Sequence, residues 1–271
     1  MNSGMSSYVF DQTWQKERDR LTAIESLFDP TSRRLLAGLG VAEGWHCLEI
    51  GCGAGGVAAW LSDRVGATGT VLATDLDTRH IDGRGRANLE ARVHDIVTDP
   101  LDDAAFDLIH ARAVLVHLPD RQQVLKRLIA ALRPGGWLLI EDVDFGGATA
   151  GMLAQYVTAP DPAPAATERI YQAFAAVFAA KGADPSYGSW LTGSLAGAGL
   201  DGVGAELHAP VVSGGSEQWT RGSVEQLVEP LTRTGLTTAE DLELFLAFSL
   251  RPDTYYLPPL MVSAWGQRPR S

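Results

Sequence analysis

Short apolar runs alternate with longer segments of helical spacing along the first half of the chain. The apolar runs predict five buried strands. These are 47–50, 70–74, a third strand that ends with residues 94–96, 106–109, and a fifth at the end of 132–140. Apolar side chains that recur at every third or fourth position predict helices between these strands, at 57–65 and 121–132. Strands that alternate with helices in this way favour a mainly parallel sheet with helices on both of its faces.

The two ends of the chain carry other patterns. A charged helix is predicted at 14–28, and Asp29-Pro30 is expected to end it because proline lacks the N–H that a helix interior needs. Thr31 is then a candidate cap for a second helix that runs to residue 39. The segment between 77 and 90 contains Gly83 and Gly85, which predict only a short or irregular helix.

Beyond residue 145 the pattern is weaker. Residues 146–164 are rich in glycine, alanine and proline and are predicted to form a mobile loop. The later segments predict helices at 167–181, 191–199, 217–234 and 238–250, and strands at 203–207 and 260–265.

The first strand ends in a glycine loop, and the chain there reads Leu48-Glu49-Ile50-Gly51-Cys52-Gly53-Ala54-Gly55-Gly56. Glycines let a backbone turn sharply and approach a ligand, and the following helix points free N–H groups at whatever lies in the loop. Gly51, Gly53 and Gly56 fit the dinucleotide pattern G-x-G-x-x-G. Glu49, Gly51, Gly53 and Gly55 instead fit the E-x-G-x-G-x-G pattern of enzymes that use S-adenosylmethionine. The loop alone leaves both cofactors open.

Later residues separate the two cofactors. Asp75 follows the second strand, where a carboxylate can accept both ribose hydroxyls, and Asp95 is placed to accept from an adenine amino group. The ordered set LEIGCGAGG, VLATD, HDI, FDLIHAR and LRPGGWLLIED resembles the class I S-adenosylmethionine-dependent methyltransferases. The resemblance extends from Leu48 to Asp142 and is closest to bacterial methyltransferases of small molecules and natural products.

The resemblance implies an α/β, Rossmann-like fold with a mainly parallel seven-stranded sheet, helices on both faces and a helical cap. The chain is then a single methyltransferase domain, residues 1–271, whose cofactor-binding core is 41–145. We expect 1–35, 146–165 and 210–257 to cover the strand ends. The cofactor is expected to be S-adenosyl-L-methionine and the acceptor a small molecule of secondary or quinone-like metabolism.

The candidate site residues come from the motifs, from the strand ends and from the expected cap. The predicted cofactor contacts are Tyr8, Arg20, Glu49, Gly51, Cys52, Gly53, Asp75, Leu76, Asp95, Ile96, Ala111 and Arg112. The predicted substrate contacts are Trp14, His110, Asp142 and Tyr156.

His117 is the candidate catalytic residue. It follows the fourth strand by about two helical turns, near a position where the family often holds a histidine. If the acceptor must lose a proton, a neutral imidazole suits that role. The alternative is a buried histidine that fixes the local turn. His110 and Asp142 are the next candidates.

Composition narrows the possible partners and cellular compartments. The formal net charge of −11 and the pI of about 4.9 argue against a nucleic-acid partner, which needs a basic surface. No apolar run has the length of a membrane span. Cys47 and Cys52 are too few for a disulfide framework, so we expect a cytoplasmic protein, as a monomer or homodimer.

No metal is expected. His80 and His94 lack partners at metal-ligand spacing, and Asp142 and Asp144, which share one face of a strand, lack a third ligand. Two alternatives to methyl transfer remain at this stage. One is an NAD-dependent oxidoreductase, and the other is a non-methylating isomerase or cyclase that binds S-adenosylmethionine on the same fold.

Overall fold

A computed structural model describes residues 8–81, 85–216 and 218–270. The described helices are α1 Glu17–Gly38, α2 Gly56–Val65, α3 Arg121–Ala131, α4 Ala148–Ala154, α5 Ala163–Ala180, α6 Tyr187–Gly197, α7 Trp219–Arg233 and α8 Ala239–Phe248. The described strands are β1 His46–Ile50, β2 Thr70–Asp75, β3 Leu89–Val93, β4 Phe106–Arg112, β5 Leu132–Asp144, β6 Asp201–His208, β7 Val212–Ser213, β8 Tyr255–Tyr256 and β9 Leu260–Gln267. Thr78–His80 and Leu115–His117 are short 3-10 helices.

Seven strands form one sheet in the order β3-β2-β1-β4-β5-β9-β6. The first five are parallel to one another, whereas β9 lies antiparallel to both β5 and β6. The predicted mainly parallel, seven-stranded Rossmann-like sheet is therefore confirmed. A separate small ribbon joins β7 to β8.

The core lies on both faces of this sheet. Successive strand residues point to opposite faces, so Leu108 packs with α2 residues such as Leu61, whereas Ile109 packs with α3 residues such as Leu125. All four of these side chains are fully buried. The helices thus fix the sheet from both sides and leave the carboxyl ends of the parallel strands to form the site.

Helix α1 differs from its prediction. It continues from Glu17 to Gly38 with Pro30 inside it, so the predicted end at Asp29-Pro30 and the predicted cap at Thr31 are wrong. Buried side chains on both sides of the proline, such as Phe28 and Leu36, stabilise the continuous helix through packing that local propensity does not include. Arg112 of β4 also donates to the carboxylate of Asp29, next to the proline.

Two other segments also differ. The third strand ends at Val93, so His94, Asp95 and Ile96 follow the strand instead of closing it. Residues 146–164, predicted to be a mobile loop, contain α4 and the beginning of α5, because apolar side chains such as Leu153 are buried there.

The C-terminal helices lie close to their predictions. Thr238 caps α8 through a capping box with Asp241, in which each side chain bonds to the other's backbone N–H. Helix α7 begins at Trp219 and is kinked at Leu227. The predicted start of that helix at Glu217 lies outside the described residues, as do Gly83 and residues 1–7 of the predicted cap. In the described parts of the chain, no helix combines the length and apolarity needed to cross a membrane.

Candidate active site

A cavity of about 590 Å³ opens where the parallel strands end. Its floor is the glycine loop and the ends of β2 and β4, and its walls come from α1, α5 and α7. Ligands of open α/β sheets bind beyond the carboxyl ends of the strands. Its place and its size are therefore those of a small-molecule site.

The glycine loop has little tolerance for side chains. Gly51 has φ of +65°, and a Cβ added there would lie 2.4 Å from Cγ2 of Val114. Gly53 has φ of +55°, and its backbone N–H donates to Oδ2 of Asp75 over 3.0 Å. Left-handed backbone and close contact both require glycine. The loop is consequently held in a shape that exposes backbone to the cavity.

The carboxylates of β2 and of the segment after β3 face the same space. Asp75 accepts from the backbone N–H groups of Gly53 and Asp77. Burial raises the pKa of Asp75, although these backbone donors oppose the shift. Asp95 and Ile96 also line the cavity, and Oδ1 of Asp95 accepts from the N–H of Val97.

Most of the predicted site residues share this one cavity. Its walls include Tyr8, Arg20, Glu49, Gly51, Cys52, Gly53, Asp75, Leu76, Asp95, Ile96, Arg112 and His117. Five others are absent from its walls, namely Ala111, Trp14, His110, Asp142 and Tyr156.

The position of His110 is at odds with a substrate role. Its ring is fully buried between two carboxylates, with Nδ1 2.7 Å from Glu49 and Nε2 2.9 Å from Glu141. Burial opposes the charged imidazole, but the charge of Glu49 and the bond to Glu141 raise the pKa of His110 to about 9. His110 is therefore part of an internal ion network.

This network extends across neighbouring strands. Ser263 on β9 donates to Oε1 of Glu141, and Ser32 on α1 donates to Oε2 of the same carboxylate. Burial opposes the charged form of Glu141, yet the hydrogen bond and charge of His110 lower its pKa to about 2. Arg112 donates to Ser32 and to Asp29 and so joins the network to the cavity wall.

The other four predicted residues that do not line the cavity lie elsewhere in the fold. Asp142 does not reach the sheet edge, because β5 continues to Asp144, and burial raises its pKa to about 8. Tyr156 follows α4 and is 49% exposed. Trp14 packs beside Gly222 of α7, and Ala111 is fully buried within β4.

His117 lies on the cavity wall at the end of a 3-10 helix and is 6% exposed. The ring centroids of Tyr8 and Phe178 lie 4.9 Å and 5.1 Å from that of the imidazole. Within the described residues, no group hydrogen-bonds to its ring, and Nδ1 is buried without a partner. Burial, and then the charge of Arg20, lower the pKa of His117 to about 3. The imidazole is therefore neutral at physiological pH.

Arg20 forms a buried ion pair with Glu17 on the same wall of the cavity. Its Nε and Nη2 donate to the two oxygens of Glu17 over 2.9 and 2.6 Å, and Nη2 also donates to the hydroxyl of Tyr8. Arg20 is 4% and Glu17 1% exposed. The guanidinium carbon lies 4.1 Å from the ring centroid of Phe10.

Sequence reasoning missed the aromatic side of the cavity. This aromatic chamber is formed by Phe10, Phe145, Tyr171, Phe174, Phe178 and Trp219. The spacing of Tyr171, Phe174 and Phe178 on one face of α5 was the available signal, but such a stripe is equally typical of a core helix. Residues 146–165 contribute no described wall residue, whereas α1 and α7 contribute several.

Within 8–81, 85–216 and 218–270, no group of three His, Cys, Asp or Glu side chains is placed to hold a metal ion. Cys47 and Cys52 are both buried free thiols.

Comparison with known proteins identifies the family. Residues 12–182 match a family described as a methyltransferase domain, which is more than half of the chain. The chain belongs to the class I S-adenosylmethionine-dependent methyltransferases. The family and cofactor predicted from the sequence are therefore confirmed.

Two named methyltransferases show the extent of the sequence similarity. Methyltransferase Str2 of Strobilurus tenacellus is 36% identical over 149 residues, which cover 53% of this chain and 49% of that protein. The 27-O-demethylrifamycin SV methyltransferase of Amycolatopsis mediterranei is 30% identical over 158 residues, 54% of this chain and 58% of that protein. The chain thus spans about half the length of the curated relatives it matches.

A solved structure shows the shared fold. The phosphoethanolamine N-methyltransferase 2 of Haemonchus contortus, in complex with S-adenosyl-L-methionine, superposes with a TM-score of 0.61 and 16% sequence identity. The match covers 98% of this chain and 61% of that chain. At this identity it supports the methyltransferase fold alone.

Asp75 is predicted to accept hydrogen bonds from the ribose hydroxyls of S-adenosylhomocysteine. We expect Asp75→Ala to weaken binding of this molecule by about 10- to 100-fold, because a hydrogen bond to a charged group contributes about 1.5–3 kcal/mol. Asp75→Asn, which keeps an acceptor for the N–H of Gly53, should lose less. Calorimetry measures both affinities. Asp63→Ala removes a carboxylate of α2 that is 65% exposed and serves as the matched control. Unchanged affinity in a folded Asp75→Ala protein would place the ribose elsewhere.

Proposed function

We propose that this protein transfers the methyl group of S-adenosylmethionine to a small-molecule acceptor. One observation carries the proposal: a single cavity joins the glycine loop and Asp75 to the aromatic chamber, with the unpartnered imidazole of His117 on its wall. Donor and acceptor sites are therefore continuous. Orientation of two bound reactants in a closed site is the main contribution that a protein makes to such a reaction.

The residues of the cavity fit the cofactor. Asp75 and Asp95 are acceptors for ribose and adenine donors, and Gly51 and Gly53 line the cavity with backbone that no side chain covers. Glu49 and Arg112 line the wall beside the loop and are candidates for the amino and carboxylate groups. When bound, the cofactor supplies a methyl group on a positively charged sulfur, and in-line displacement leaves a neutral thioether.

The neutral imidazole of His117 is proposed to take the proton of the acceptor. If the acceptor atom is a hydroxyl oxygen, an O–C bond forms, the S–C bond breaks and the O–H proton passes to the imidazole. The oxygen becomes strongly acidic as it gains the methyl group, so even a weakly basic imidazole can accept the proton. The imidazolium then loses its proton to water when the product leaves.

The cover over the cavity is proposed to exclude water. Helix α1 supplies Arg20 and Leu21, and α7 supplies Trp219 and Ser223, to walls that stand above the strand ends. Segments of this kind often open to admit substrate and close before the reaction. A small acceptor of secondary metabolism agrees with the similarity to the 27-O-demethylrifamycin SV methyltransferase of Amycolatopsis mediterranei.

Transfer of a labelled methyl group tests the function. The protein is incubated with methyl-labelled S-adenosylmethionine and a panel of hydroxylated aromatic compounds, and label in the organic phase and S-adenosylhomocysteine are measured together. Equal amounts of both products are expected. Conversion of an acceptor without label would support the isomerase or cyclase alternative, and tight NAD binding without S-adenosylhomocysteine binding would contradict the proposal.

A further inference from the structure

The aromatic chamber is almost entirely apolar. Phe145, Phe174, Phe178 and Trp219 are each less than 10% exposed, and the rings of Phe145 and Phe178 meet edge to face at 5.0 Å. The hydroxyl of Tyr171 is already committed, because it donates to the carbonyl of Leu257 over 2.7 Å. A ligand here meets ring faces and ring edges, which favour another flat, apolar group.

The charges around the cavity disfavour an anionic acceptor. Among the described residues that line it, the permanent cations are Arg20 and Arg112. Arg20 is paired with Glu17 at 2.6 Å, and Arg112 with Asp29 at 2.8 Å. The carboxylates on the walls outnumber these two arginines, and they are Glu17, Glu25, Glu49, Asp75, Asp77, Asp95 and Asp120.

An acceptor that carries a carboxylate or phosphate would therefore lose its hydration without gaining a free cation, because Arg20 is paired with Glu17 and Arg112 is the candidate for the carboxylate of the cofactor. Removing an ion from water without a partner is costly, and nearby carboxylates add repulsion. A neutral acceptor avoids this penalty.

Several residues on the cavity walls carry a buried polar atom without a hydrogen-bond partner among the described residues, including His80, His94, His117 and Ser223. The Nδ1 of His117 and the Oγ of Ser223 have no hydrogen-bond partner among the described residues, and the side chains are 6% and 5% exposed. A buried polar group without a partner costs about 1–3 kcal/mol. This cost falls if a bound ligand brings a hydroxyl group to the imidazole.

We propose that the acceptor is a neutral, mainly aromatic molecule that binds in the aromatic chamber and presents a hydroxyl group to His117. The proposal rests on the proposed methyl transfer and narrows it to one class of acceptor. Ser223 is a second polar contact at the α7 side of the chamber. The paired Arg20 and Glu17 then act as a specificity device that excludes carboxylates.

The test uses two probes with one ring system, 2-naphthol and 2-naphthoate. Each is titrated into the protein saturated with S-adenosylhomocysteine, and calorimetry measures the affinity. We expect 2-naphthol to bind at least about tenfold more tightly than 2-naphthoate. Equal or tighter binding of 2-naphthoate would overturn the proposal.

A variant tests the specificity device. Glu17→Gln leaves the guanidinium of Arg20 without its carboxylate, so we expect the affinity for 2-naphthoate to rise by about tenfold or more. Glu229→Gln makes the same change in an ion pair whose carboxylate is 84% exposed, and it should leave both affinities unchanged. No rise in a Glu17→Gln protein that still binds S-adenosylhomocysteine would contradict the role of the pair.

Failure of the proposal can be told from failure of the proposed function. If S-adenosylhomocysteine binds but neither probe does, the chamber is not the acceptor site and the inference is wrong, while methyl transfer still stands. If S-adenosylhomocysteine itself does not bind, the proposed function is wrong. Should Glu17→Gln fail to fold, the comparison of the two probes on the unaltered protein still decides the acceptor class.

Discussion

His117→Gln is expected to lower turnover by about 10²–10⁴-fold while leaving the affinity for S-adenosylhomocysteine nearly unchanged. Glutamine keeps much of the volume and can still hydrogen-bond, but it cannot take a proton. Because burial and Arg20 hold the pKa of His117 at about 3, the unaltered imidazole is neutral and able to accept a proton throughout the neutral range. Initial rates with methyl-labelled cofactor measure the effect.

The pH profile and a control separate catalysis from structure. Between pH 5 and pH 8, His117 should add no titration to the rate of the unaltered protein, since its pKa lies well below this range. His208→Gln changes a histidine that does not line the cavity and should retain its turnover. A folded His117→Gln protein that has lost less than tenfold in turnover, and mainly stability, would show that the residue only braces the turn before Pro119.

His110→Leu is expected to lower the free energy of unfolding by about 3–5 kcal/mol, because removal of one partner leaves a buried charge without compensation. Two carboxylates, Glu49 and Glu141, would lose the imidazolium that lies 2.7 and 2.9 Å from them. Urea denaturation measures the change. His46→Leu places the same substitution on β1, where the imidazole is only partly buried, and should cost far less. A loss below about 1 kcal/mol would mean that the network is not ionised as described.

The same network gives a pH dependence with a defined sign. The pKa of His110 is about 9 in the folded protein and near 6.5 when the chain is unfolded. Its stabilising contribution is therefore complete below about pH 6.5 and is lost as the pH rises to about 9. The difference in stability between the unaltered protein and His110→Leu should shrink over this interval. A difference that grew with pH would contradict the assignment of charge to His110.

Local sequence was sufficient for the cofactor side of the cavity. The glycine loop and Asp75 lie within one strand–loop–helix–strand unit, so short-range spacing places the loop and the carboxylate at one sheet edge. The family match confirms the fold and cofactor that the resemblance over Leu48 to Asp142 implied. Asp95 and Ile96 also line the cavity, even though their strand ends earlier than predicted.

The local sequence could not show that His110 lies in a buried ion network. Its position after a strand pattern suggested the sheet edge, but β4 continues to Arg112. Strand pairing sets His110 beside Glu49 of β1, and β5 brings Glu141 to the other side of the ring. Which residues become neighbours across strands depends on sheet order and register, and neither is written in the spacing along one chain segment.

The sequence by itself determined the order of strands and helices from β1 to β5, the glycine loop at Gly51 and Gly53 and, through the ordered set of motifs from Leu48 to Asp142, the cofactor. Only the tertiary structure decided that α1 continues through Pro30, that Arg20 is neutralised by Glu17, and that α5 and α7 bring aromatic side chains to the cavity that holds His117. The physical reason is the range of the interactions. Backbone conformation and hydrophobic periodicity act over a few residues, whereas burial and ion pairing depend on side chains that folding brings together from distant parts of the chain.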